Sequence, residues 1–343
     1  MEGDILLQEN TKTQRIDWID CLKGFGMICV VLGHLAPFFP VEKLIYSFHM
    51  PLFFFLSGIV TKDKKQKLSA VLKKSVSALL VPFVIWDILS LIVSLVMMND
   101  DVMTCILRAL FIGGLHSWNA PIWFLLVLFQ VKILYGILHR SHIPDWLTLI
   151  FMTAVSFFVS GLDTLPFMLN LVPVAMVFFL TGVALRKVFI DKKWDAFQNK
   201  MPVKVTAAGI SLLVLSVFGA VLNDRISFTG AAFGNYLYFY LGALGGILFF
   251  CILFSVLPCL KILKQIGRES MFIMCFQYWI LWAADRVSNA LLKFSVWHYR
   301  NTIKALVMTA AVIAICLFIT FLCRKLLRKF PKLRPLLSPI IPV

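Results

Sequence analysis

Long apolar runs dominate the chain, separated by short basic or aromatic stretches. A helix crosses a bilayer core with about 20 mostly apolar residues. Ten runs approach that length, at about 20–38, 44–60, 75–97, 119–138, 146–161, 166–185, 203–222, 234–257, 270–284 and 303–323. The second and fifth are short. Backbone amides in lipid have no water to bond, so each run is predicted to be a helix. The expected fold class is therefore all-α, a polytopic helical bundle in a membrane. Pro37 and Pro40 are expected to end the first helix, and Pro82 to kink the third. Pro51 should hold Met50 out of the helical region, leaving His49 in a turn before the second helix.

Composition strengthens this picture. The 343 residues are 60% apolar and 15% charged, with a mean hydropathy of +0.90. A soluble globule has about a quarter of its residues charged, and disorder is excluded by the apolar content. Lys and Arg number 33 against 17 Asp and Glu. Sorted onto alternate sides of ten spans, 24 of the basic residues fall with the two termini and 7 opposite. Cytoplasmic flanks carry the excess of Lys and Arg, so both termini are expected in the cytoplasm. The positive charge then reads as topology and bilayer contact, and no nucleic-acid partner is expected. The first 18 residues are polar and carry no secretory signal pattern. The chain divides into an N-terminal cytoplasmic segment (1–18), one membrane domain (19–325) and a basic cytoplasmic tail (326–343), in the plasma or inner membrane. Six of the eight cysteines lie in or at the ends of spans, so no structural disulfide is expected.

Ionisable residues within spans are costly and usually mark function. The first span carries Asp20, Lys23 and His34. Helical periodicity puts all three on one stripe, with Lys23 and His34 about 16 Å apart along the axis. His49 opens the second span, so two histidines from consecutive helices can share one cavity. Imidazole ionises near neutrality and suits a general base. No further ligand is spaced to complete a metal site with them. Lys73 and Lys74 form a basic mouth at the third span, suited to gripping the phosphates of a polyanionic cytoplasmic cosubstrate. Trp118 and Trp123 flank the start of the fourth span. They suit either the interfacial aromatic belt or the mouth of a sugar-binding cavity. Gln277, at membrane depth in the ninth span, needs a polar partner.

These residues resemble a known pattern. Lys23, ten residues, then His34, followed by Phe48-His49-Met50-Pro51-Leu52-Phe53-Phe54-Phe55-Leu56-Ser57-Gly58, resembles the acyltransferase family 3 membrane proteins. Within them it is most similar to the fucose 4-O-acetylase-like branch. Val81-Pro82-Phe83, Trp123-Phe124-Leu125, Phe179 to Gly182 and Ile266-Gly267 through Ser270 fit the family's later motifs. Where the family often has His in its ninth-span motif, this chain has Gln277. The resemblance implies an acyl-CoA-dependent O-acyltransferase that acylates, usually acetylates, hydroxyls of cell-envelope sugars. His34 is then the expected general base, with His49 beside it. Lys23, Lys73 and Lys74 are expected to hold the acyl-CoA, and Asp20, Ser57, Trp123 and Gln277 to line the acceptor cavity. Acetyl-CoA enters as cosubstrate, with no resident cofactor. The acceptor is expected to be a sugar, a polysaccharide or a lipid-linked glycan. An exporter of acylated glycans or small molecules and a membrane binding module are the competing readings.

Overall fold

The computed structural model describes residues 16–62, 67–97, 101–107, 118–159, 165–190, 201–292, 295 and 301–331. Most of the expected N-terminal segment and basic tail lies outside them, as do parts of the loops at 98–118, 186–202 and 285–302. Among the described residues the chain is helical, with one isolated bridge between Ser227 and Ala232. In chain order the helices are α1 (Asp17–His34), α2 (Phe39–Ile59), α3 (Leu68–Ser75), α4 (Val81–Met97), α5 (Val102–Leu107), α6 (Trp123–Arg140) and α7 (Asp145–Val159). They continue with α8 (Val172–Phe189), α9 (Pro202–Leu222), α10 (Tyr236–Val256), α11 (Lys261–Arg268), α12 (Ser270–Leu292) and α13 (Thr302–Lys329).

Six helical segments are long and apolar enough to cross a membrane: Leu68–Met97, Ala120–Arg140, Pro166–Phe189, Pro202–Leu222, Tyr236–Val256 and Thr302–Lys329. The other four expected spans are also helical but less lipid-like. Asp17, Asp20 and Lys23 interrupt α1; Glu42, Lys43 and His49 interrupt α2; Asp285 and Arg286 interrupt α12. α7 has only 15 residues. Three of these four, α1, α2 and α12, carry the polar cavity described below, so they lose hydropathy where they gain chemistry. α1 and α2 pack against each other, α1 against α11 and α12, and α2 against α8 and α10.

Two crossings depend on glycine. A Cβ on Gly267 would overlap the Asp20 carbonyl, and one on Gly24 would overlap the Leu263 carbonyl, so α1 and α11 touch backbone to backbone. Gly58 and Gly182 do the same for α2 and α8, against the carbonyls of Phe179 and Phe55. Such contact maximises van der Waals packing where lipid leaves no hydrophobic driving force.

The prolines act differently from expectation at two places. α1 stops at His34, but Pro40 sits in the first turn of α2 and starts it. A missing N–H costs nothing there. α2 then runs unbroken through Pro51, so Met50 is helical and His49 lies within the helix, not before it. Just before Pro82 a π-helical turn over Val76–Leu80 joins α3 to α4, with the Val81 N–H donating to the Val76 carbonyl.

Candidate active site

α1 ends where the site begins. His34 is its last residue, and the four-residue turn to α2 includes Ala36 at a φ of 44°. The hydroxyl of Tyr278 on α12 lies 3.0 Å from His34 Nδ1. The two rings meet edge to face at 4.9 Å. His49 Nδ1 lies 2.8 Å from the Ile45 carbonyl, one turn back on α2. A carbonyl only accepts, so Nδ1 carries the hydrogen and the neutral ring keeps its lone pair on Nε2. His49 is buried at 3% exposure.

The segment between α9 and α10 completes this end. Asn223 ties its base by donating to the Phe233 carbonyl at 2.9 Å and accepting from the Asn235 amide at 2.7 Å. Ser227 and Ala232 exchange backbone hydrogen bonds at 2.8 and 2.9 Å. Ile226, Phe228 and Phe233 are buried, so the loop folds into the bundle. Arg225 on it donates to Glu42 at 2.7 Å and lies 4.2 Å over the Tyr46 ring. Phe228 stacks on Trp123 at 5.8 Å.

Two adjoining spaces result. A chamber of about 200 Å³ is lined by His34 and His49 together with Met27, Met50, Phe53, Trp123, Phe228 and Met274. An open cavity of about 960 Å³ lies beside it, lined by Phe38, Glu42, Trp118, Trp282 and others. His34, Tyr46, Arg225 and Tyr278 border both. Aromatic walls with a few fixed polar groups are the usual form of a small-molecule site.

A third cavity, about 630 Å³, lies at the other end of α2 and α6. Lys62, Lys67, Lys74, Lys132 and Arg140 line it with His139 and His142, and among the described residues no acidic one does. Lys132 feels the charges of both Lys74 and Lys23. Five basic side chains around one cavity repel one another unless an anion sits among them. Along α6, Trp123 at the small chamber and Lys132 at the basic cavity are about 14 Å apart. Phe124, next to Trp123, packs on Phe54 and Phe53 with ring centroids 4.8 and 6.0 Å away.

The expected residues divide. His34, His49 and Trp123 come together at the small chamber, and Lys74 lines the basic cavity. Lys23 lies within electrostatic reach of it. Lys73 is exposed and outside the lining, because it points away from its neighbour by about 100° on the helix. Asp20 lines none of the three cavities and pairs with Arg268 at 3.3 Å, at the end of α1 opposite His34. Ser57 lines none of these three spaces. Gln277 is fully buried outside them, donating to the Met274 carbonyl at 3.4 Å. Its neighbour Tyr278 takes the place expected for it.

Arg225, Glu42, Tyr46, Tyr278 and Lys132 were not singled out by sequence reasoning. Only Lys132 left a usable signal, as a cation inside an apolar run. The expectation of no disulfide is also overturned: Cys21 on α1 bonds Cys259 before α11, across a sequence separation of 238. The glycine crossing of α1 and α11 brings them together.

An acyltransferase domain model matches residues 16–323 of the chain. No curated protein matches it.

Proposed function

The chain belongs to acyltransferase family 3 and is a membrane acyltransferase, and on that premise we propose that it moves an acyl group from acyl-CoA to a sugar hydroxyl at the His34–His49 chamber. One observation carries the proposal. Both histidines face a single small chamber, while a cationic cavity sits at the far end of the same helices. The donor's phosphates dock among Lys62, Lys67, Lys74, Lys132 and Arg140, with Lys23 nearby. The pantetheine arm runs past the Phe53–Phe124 packing to the chamber. The acceptor arrives through the aromatic cavity, where Trp118 and Trp282 suit a sugar ring.

His34 takes the proton of the acceptor hydroxyl, since a neutral hydroxyl is a poor nucleophile. Its Nδ1–H donates to Tyr278, which leaves Nε2 as the base. The oxygen attacks the thioester carbonyl, the C–S bond breaks, and His34 returns the proton to the departing thiolate. His49 Nε2 accepts a hydrogen bond from the acceptor and orients it. Arg225 and the hydroxyl of Tyr46 are the donors available to the carbonyl oxygen as it gains charge.

In this reading all ten spans cross the plasma or inner membrane, with both termini and the basic cavity cytoplasmic. That orientation agrees with the distribution of Lys and Arg. The donor is then drawn from the cytoplasm, and the acceptor is an envelope glycan on the opposite face. Acetyl is the family's usual group, and the fucose 4-O-acetylase-like resemblance favours a sugar acceptor. The test is transfer of label from radiolabelled acetyl-CoA to a panel of envelope glycans by purified protein in nanodiscs. Transfer that is lost in His34→Ala supports the proposal. Flux of a preformed acylated glycan without any CoA release refutes it in favour of the exporter.

A further inference from the structure

We infer that Glu42 selects the acceptor. Its free carboxylate oxygen holds a second hydroxyl on the far edge of the sugar ring whose reacting hydroxyl meets His34 and His49, so the site takes uncharged rings and rejects acidic ones. The inference rests on the acyltransferase proposal above.

Glu42, Tyr46 and His49 stand on one face of α2. Helical periodicity brings His49 within about 20° of Glu42, and Tyr46 within about 40°. The Tyr46 and His49 rings meet edge to face at 5.0 Å. This face runs from the open cavity, which Glu42 lines, to the small chamber, which His49 lines, and Tyr46 borders both.

The carboxylate is half used. Its Oε1 accepts from Arg225 Nε at 2.7 Å. Its Oε2 has no partner among the described residues, although the side chain is only 13% exposed. Glu42 lies in the first turn of α2, where the helix dipole favours negative charge. An ionised carboxylate only accepts hydrogen bonds, and so does the lone pair on His49 Nε2. Both ends of the face therefore require a ligand that donates at two places, as a polyol does.

Spacing sets which two. Seven residues of helix put Glu42 and His49 about 10.5 Å apart along the axis. Both side chains lean the same way along the helix. Two hydrogen bonds of about 2.8 Å each leave about 5 Å between the ligand's two oxygens. Hydroxyls on opposite edges of one pyranose ring have that separation, and adjacent hydroxyls do not. Trp118 and Trp282 line the same cavity with ring centroids 5.8 Å apart, and suit the C–H faces of the ring. Among the described residues Glu42 is the acid and Arg225 the strong base lining this cavity, and they pair. An acidic sugar thus meets the Glu42 oxygen with no excess cation to offset the repulsion.

The experiment measures kcat/KM with acetyl-CoA as donor. The acceptors are the methyl glycosides of glucose, galactose and mannose, their monodeoxy analogues and the matching methyl uronides. For the glycoside used best, one deoxy analogue, away from the acylated position, should lose about 10- to 100-fold, the scale of a hydrogen bond to a charged group. The uronide should lose at least as much. Glu42→Gln keeps the shape and replaces the free oxygen by an amide, so both penalties should shrink about tenfold or more. Arg225→Ala should lower turnover on every acceptor and leave both penalties in place. Because ratios are read, partial loss of folded protein cancels, and a Glu42 that merely held Arg225 would give the two variants one profile. Penalties unchanged in Glu42→Gln overturn the inference, as does a wild type indifferent to every deoxy change away from the acylated position. Transfer to envelope glycans but to none of these glycosides also overturns it, since the single ring is the unit recognised. Each of those outcomes leaves the acyltransferase proposal standing. No transfer from acetyl-CoA to any glycoside or glycan overturns that proposal and this inference with it.

Discussion

The hydroxyl of Tyr278 and the Nδ1 of His34 stand 3.0 Å apart, joining the end of α1 to the middle of α12. An imidazole at a helix terminus has freedom to rotate, and this bond removes it. Tyr278 is therefore a positioning residue for the base. Replacing it by Phe keeps the ring and removes one hydrogen bond, worth about 1 kcal/mol or somewhat more. We expect Tyr278→Phe to lower kcat roughly tenfold with little change in the KM for acyl-CoA. Steady-state kinetics with both substrates varied checks this. A raised donor KM with unchanged kcat would count against the positioning role.

The basic cavity separates two adjacent lysines. Lys74 lines it and Lys73 does not. Charge-assisted hydrogen bonds contribute about 1.5–3 kcal/mol. Lys74→Ala and Lys132→Met should each raise the acyl-CoA KM on the order of tenfold or more, and Lys73→Ala should stay near wild type. Donor titration at fixed acceptor decides it. The Lys74 and Lys132 effects should shrink as salt is added, because screening already weakens the phosphate contacts.

Arg225 is fixed from two sides, by Glu42 at 2.7 Å and by the Tyr46 ring at 4.2 Å. A planar guanidinium makes both contacts at once, and an ammonium does not. Arg225→Lys should therefore behave almost like Arg225→Ala, with a reduced kcat and a weakened acceptor response. Full activity in the lysine variant would show that only the charge matters.

Cys21 and Cys259 close a loop spanning most of the chain, at the end of α1 remote from His34. A crosslink of this kind stabilises by about 2–4 kcal/mol through the unfolded state. Oxidised purified protein should yield the linked Cys21–Cys259 peptide on non-reducing digestion. Reduction, or Cys259→Ser, should lower the thermal midpoint by several degrees and leave the ratio of kcat to KM for acetyl-CoA near that of the oxidised form. A midpoint insensitive to reduction would remove any structural role for the bond.

Periodicity along α1 is a local property, so the distance from Lys23 to His34 was legible before any tertiary contact was known. The meeting of His34 with His49 was legible too, because a four-residue turn leaves consecutive helices nowhere else to go. The start of α2 was not, because Pro51 ends a helix in isolation but is tolerated where preceding turns and neighbouring helices hold the backbone. Tyr278 was missed for Gln277 because one residue is a rotation of about 100° on α12, and only packing against α1 fixes that rotation. Arg225 came from a loop, where the sequence gives no periodicity to read. Asp20 shared the stripe of His34, but its partner Arg268 lies 248 residues away, so its structural role was invisible locally.

The central claim is that acyl transfer takes place between His34 and His49. The most direct measurement is single-turnover acetyl transfer in nanodiscs for the wild type, His34→Ala and His49→Ala, with acetyl-CoA affinity determined separately for each. The account predicts unchanged affinity, loss of transfer by a factor of about 100 or more in His34→Ala, and a smaller loss in His49→Ala. Near-wild-type turnover in His34→Ala with intact donor binding would contradict it.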